Sequence, residues 1–184
     1  LSEHGLAAAD VAWVVCDVAP GVAANLAFAQ PETVQEAQFS MNFAIASAII
    51  FGDVGLPHLD AAVLADPCLR NVMHRVKMLT GARWNEPDRL HRFPEGAFVT
   101  LLTRDGRTIE QFSGAARGTS TVPLDDAEIE AKFTDCAGSI IGPHQAETLL
   151  GRLHDVAALS SARDLLQQID WSGADRHALA GAGL

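Results

Sequence analysis

The stretch "GAFVTLLTRDGRTIEQFSG", residues 96–114, constrains the fold most tightly. Two runs rich in Val, Thr, Leu, Ile and Phe flank Asp105-Gly106, a pair suited to the positive φ angles of a tight hairpin turn. Antiparallel strands are therefore predicted near 96–104 and 107–114. The Val-rich "DVAWVVCDVAP" (10–20) predicts a strand near 10–18, closed by Pro20-Gly21. A short alternating run, "RVKML" (75–79), predicts another near 74–80.

Helices are expected between these strands and after them. Residues 21–32 read as a loop leading to Thr33, an N-cap with Glu36 three residues on. The helix it starts is expected over about 34–51, where Gly52 permits a left-handed end. Residues 56–65 and 66–74 read as two short helices, the second with Asp66 as cap and Pro67 in its first turn. Residues 80–95, interrupted by Pro87 and Pro94, read as an exposed loop. Further along, Asp125 and Glu128 form a second capping box before a helix with an Ile129, Phe133 and Cys136 stripe. Gly142-Pro143 starts another helix, with Ala146, Leu149, Leu150, Leu153 and Val156 on one face. Ser160 starts a last one with Leu165, Leu166 and Ile169, and the Gly/Ala-rich end is expected to fray. The grouping predicts an α+β domain over 1–172, with a mostly antiparallel sheet of about four strands packed with helices. Residues 173–184 are then a flexible tail.

Charge narrows the partners. The formal net charge is −10, which disfavours nucleic acid and anionic membrane surfaces. The longest apolar stretch, 43–51, is too short to span a bilayer. Cys16, Cys68 and Cys136 are distant and odd in number, so no disulfide framework or zinc spacing follows and a reducing cytoplasm is expected. No secretory signal opens the chain, and its first residue is not Met, which points to a processed product or a piece of a longer protein.

Motifs for common chemistries are absent. "GAARGTST" (114–121) lacks the Lys and the glycine spacing of a phosphate loop. The seven histidines show no pair at ligand spacing on a helix, so no metal is expected. No G-x-S-x-G nucleophile turn occurs. Asp17 and Asp53 are possible bases, against the simpler reading of solvated loop carboxylates. Lys132, beside Glu128 and Glu130, reads as a surface ion pair. The peculiar feature is "PETVQEAQFSMNFAIASAIIFG" (31–52), which crowds Gln38, Ser40 and Asn42 into the start of an apolar helix. Buried polar groups need partners. The pattern fits either a wall of a polar pocket or an exposed first half preceding a buried second half.

That stretch, continued through "DVGLPHL", resembles the C-terminal domain of the MmgE/PrpD family, whose pattern is P-x-T-x-x-E-A-x-F-S-L-x-Y-x-x-A followed by Gly. "DGRTIEQFSGAARGTSTVPLDDAEIEAKF" is similar to a second family pattern at the expected distance. The resemblance runs over roughly residues 5–170. It implies the lid-like smaller domain of a two-domain enzyme, with a helical domain upstream that this chain lacks. Members include 2-methylcitrate dehydratase, cis-aconitate decarboxylase and iminodisuccinate epimerase. The resemblance thus implies acid/base proton transfer on a small di- or tricarboxylate, no cofactor, and a homodimer. A hydro-lyase of the 2-methylcitrate dehydratase kind is the leading expectation; the others are an epimerase, a decarboxylase or a non-catalytic oligomerisation module. The family's Lys/His segment is missing, so the catalytic residues are unknown; Gln38, Ser40, Asn42 and Phe43 are expected to line the substrate pocket. Phe43 stands where the family often has Tyr, and the chain contains no Tyr.

Overall fold

A computed structural model describes residues 1–161, 163–166 and 169. These fall into two compact units, residues 1–122 and residues from 123 on. The first is α+β. Its strands are β1 (Val11–Val18), β2 (Val76–Leu79), β3 (Ala97–Thr103) and β4 (Thr108–Ser113), in the order β2-β1-β3-β4. β1 pairs antiparallel with β3, and β3 with β4, whereas β1 and β2 run parallel. Between β1 and β2 come α1 (Pro20–Asn25), α2 (Val34–Ala37), α3 (Met41–Phe51), α4 (Ala61–Leu64) and α5 (Pro67–Met73).

The alternation of β1 divides the sheet into two faces. Val14, Cys16 and Val18 point to the buried side, where Val22 and Ala23 of α1 and Met41, Ile45 and Ile49 of α3 cover them. The far side of α3 closes a second cluster, in which Phe43 and Ala46 pack with Leu64, Leu69 and Met73. Trp13, Val15 and Asp17 lie on the opposite sheet face, opposite Leu102, Thr100 and Phe98 of β3.

Several expectations are revised. The helix over 34–51 is broken: Ser40 adopts extended angles (φ −124°, ψ 112°) and caps a new helix by accepting the Phe43 N–H at 3.0 Å. A serine hydroxyl competes well for that role, and a bridge from Ala27 to Ser40 holds the extended conformation. Residues 21–32 are not all loop, because Pro20 starts α1. Helix 56–65 shrinks to one 3-10 turn at Leu56–His58 and to α4, separated by the cap of Asp60. The 80–95 segment is structured, with a 3-10 turn at Ala82–Asn85 and α6 at Pro87–Arg92, where the proline occupies the first turn rather than breaking a helix. The hairpin turn spans three residues, since Thr103 N–H donates to Arg107 C=O at 2.9 Å and Gly106 takes φ +88°.

The second unit begins at the expected capping box. Asp125 accepts the Glu128 N–H at 2.9 Å, and the Glu128 carboxylate accepts the Asp125 N–H at 3.0 Å. α7 (Asp126–Ile141) and α8 (Pro143–His154) form a helical hairpin turned at Gly142, whose φ is +83°. Gly138 lies against Pro143 and Ala146, where even a methyl group would be in contact. Of the helix expected from Ser160 with Leu165, Leu166 and Ile169, the described residues show the short α9 (Arg163–Leu166), which starts three residues later and does not include Ile169. The tail 173–184 lies outside the described residues.

Candidate functional site

The break at 38–40 arranges the four residues expected to line a pocket. Thr33 caps α2, which ends at Ala37, and the chain turns before Ser40 caps α3. Phe28 N–H donates to Phe39 C=O at 3.3 Å and ties the preceding loop across this turn. Gln38 is exposed there, next to the half-exposed Phe39 in the chain. Ser40, Asn42 and Phe43 are buried behind it. The Asn42 amide donates to Met73 C=O at 3.0 Å and Val76 C=O at 2.8 Å. It thereby fastens the start of α3 to the junction of α5 and β2. Phe43 is 1% exposed in the cluster with Leu69 and Met73. Of these four residues Gln38 is the exposed one, an amide with both donor and acceptor atoms.

A second polar cluster lies on the other sheet face, and little in the sequence marks it. Asp17 is in a strand rather than a solvated loop. Its Oδ1 accepts the Gly81 N–H at 2.7 Å and the Trp84 Nε1–H at 3.0 Å, and its Oδ2 lies 3.7 Å from Arg83 Nε. Arg83 also forks onto Glu110 through two bonds of 3.0 Å and stacks on Phe98 at 4.4 Å. Thr100 donates to the same Glu110 at 3.1 Å. The Arg83 and Thr100 bonds hold the Glu110 carboxyl below the usual range, and its carboxylate in turn raises Arg83. Each charge is already committed to a neighbour, so this cluster anchors the 81–92 segment and offers no free base. Strand alternation could have paired Glu110 with Thr100, but nothing local marks Arg83 as their partner.

Other titratable groups are dispersed. Asp53 lies 3.7 Å from His58 Nδ1 with its own side chain largely exposed. Burial pushes the Cys16 thiol up to about 11, which makes it a poor nucleophile. Among the described residues no three His, Cys, Asp or Glu side chains gather as a metal site. Among the same residues no helix is long and apolar enough to cross a membrane.

Among known families, the model of the MmgE/PrpD C-terminal domain matches residues 1–153. No curated protein matches the chain.

Proposed function

The chain belongs to the MmgE/PrpD family through its C-terminal domain, and from that premise we propose that it is the lid of a cytoplasmic, cofactor-independent enzyme acting on small di- or tricarboxylates. The reaction proposed is dehydration of a 2-methylcitrate-like substrate by acid/base proton transfer. The catalytic groups belong to an upstream helical domain, and the lid supplies contacts to the polar substrate. The observation that supports this reading is the capped break at 38–40, which leaves Gln38 exposed and locks Ser40, Asn42 and Phe43 behind it. In the proposed roles Gln38 meets the substrate, Ser40 and Asn42 fix the backbone that carries it, and Phe43 shapes the wall from within. An exposed carboxamide suits this task, because it can donate to a carboxylate without adding charge.

The test uses the full-length polypeptide containing the helical domain. Gln38→Ala is expected to lower kcat/KM for 2-methylcitrate by roughly tenfold, the loss of one transition-state hydrogen bond, with the melting temperature unchanged. Residues 1–184 alone should give no turnover of 2-methylcitrate, citrate, cis-aconitate or iminodisuccinate, because the family's Lys/His segment is missing from them. Unchanged kcat/KM in the Gln38 variant would remove the lid from substrate binding.

An assembly role is part of the same proposal. Trp13 is 51% exposed and its cross-strand neighbour Leu102 is 39% exposed, an uncovered apolar strip on the outer sheet face. A homodimer is the expected state, and a clean monomer in sedimentation at high concentration would remove this part of the proposal.

A further inference from the structure

The first unit divides its charge unevenly along the chain. Eight Asp and Glu residues and no Lys or Arg precede Arg70, whereas residues 70–122 carry nine Lys and Arg against five Asp and Glu. The cation-free part contains α1 to α4 and the loop after α3. At the end of α3 and in that loop three large apolar side chains stand in solvent: Phe51 is 44% exposed, Val54 52% and Leu56 55%. They are presented by a defined turn. Gly52 closes α3 at φ +88°, and the His58 ring stacks on Phe51 at 4.4 Å with an 8° interplanar angle. His58 Nδ1 accepts the Gly55 N–H at 3.0 Å, which fixes the bend between them. Two carboxylates flank the apolar group: Asp53, with a side chain 72% exposed, and Asp60, the cap of α4.

We propose that the turn over residues 51–60 docks a cationic polypeptide segment that sets Leu- or Phe-type side chains beside Lys or Arg. Phe51, Val54 and Leu56 give such a segment an apolar seat, and Asp53 and Asp60 meet its cations at the rim. Three exposed apolar side chains within six residues of one hydrogen-bonded turn are more than the scattered exposure normal for a surface. The sign of the partner follows from the two carboxylates of the turn itself, Asp53 and Asp60. Nucleic acid and acidic lipid are disfavoured by the same carboxylates. The inference does not rest on the substrate reading, since it concerns a different end of α3.

The test is fluorescence anisotropy with the full 184-residue chain and a labelled amphipathic Leu/Lys helix of about 18 residues, with a Leu/Glu peptide as control. The Leu/Lys peptide should bind, and its affinity should fall at least tenfold between about 50 mM and about 500 mM NaCl. Val54→Ser with Leu56→Ser should weaken binding at least about fivefold, and so should Asp53→Asn with Asp60→Asn. Asparagine still caps α4, so the second pair keeps the fold, which circular dichroism verifies. Asp126→Asn with Glu130→Asn removes the same charge from α7 and should change affinity less than about twofold. Equal weakening by the two charge pairs, indifference to Val54 and Leu56, or comparable binding of the Leu/Glu peptide would each overturn the proposal. So would loss of self-association, without peptide, in the Val54/Leu56 variant, because a second copy would then be the occupant.

Discussion

At the residue scale, Asn42 shows how a buried polar side chain becomes an asset. Its amide spends both hydrogens on the carbonyls of Met73 and Val76, which end α5 and begin β2. Asn42→Ala leaves two buried acceptors unpaired, and we expect a loss of about 2–3 kcal/mol in urea unfolding; a loss under about 0.5 kcal/mol would mean that water replaces the amide. Cys16 behaves oppositely, as an inert apolar filler. Its thiol is raised to about 11 in the folded chain, against about 8.5 for an unfolded cysteine. A raised value contributes stability that is complete below the unfolded value and disappears as pH climbs through the folded one. Stability should therefore fall between roughly pH 8.5 and 11, and Cys16→Ala should abolish that part of the slope. In native protein at pH 8 a thiol reagent should modify the exposed Cys68 and Cys136 and spare Cys16.

At the scale of elements, what could be read in the sequence was the chemistry of ends and turns. Thr33, Asp66-Pro67, the Asp125/Glu128 box and Gly142-Pro143 each announce a helix start through groups a few residues apart, and the structure places caps or first turns at all four. The hairpin at Gly106 was equally local. The break at Ser40 was hidden, because the same hydroxyl is compatible with continuing a helix until its bridge to Ala27 is known. The polar crowding at 38–42 was visible as an anomaly, but the partners of Asn42 lie more than 30 residues away. The 81–92 segment illustrates the same limit, since its order depends on Asp17 and Glu110. It also packs tightly at one glycine: a Cβ on Gly96 would stand 2.6 Å from Trp84 Cη2 and 3.1 Å from Phe93 Cβ. Gly96→Ala should therefore cost about 1–3 kcal/mol, with faster amide exchange in residues 81–92. Wild-type exchange there would show that the indole moves aside at little cost.

At the scale of the whole molecule, both hydrophobic clusters lie within the first unit. A fragment of residues 1–122 is therefore expected to unfold in one cooperative transition, followed by tryptophan fluorescence; a gradual, non-sigmoidal loss would place part of its stability outside it. The sheet order carries a further consequence, for the chain during its synthesis. The β3–β4 hairpin can close within microseconds of leaving the ribosome. β1, the central strand, has no such neighbour: Val14 pairs with Val76 and Leu101, 62 and 87 residues later. At about 5–20 residues per second, the second partner follows roughly 4–17 s behind. Throughout that interval "VAWVVCDV" has two open edges and an apolar face, and it can join a strand of another nascent chain as readily as its own. The strand at the heart of the finished sheet is thus the first to be made and the last to be secured, and its safe delivery depends on whatever shields it in the meantime.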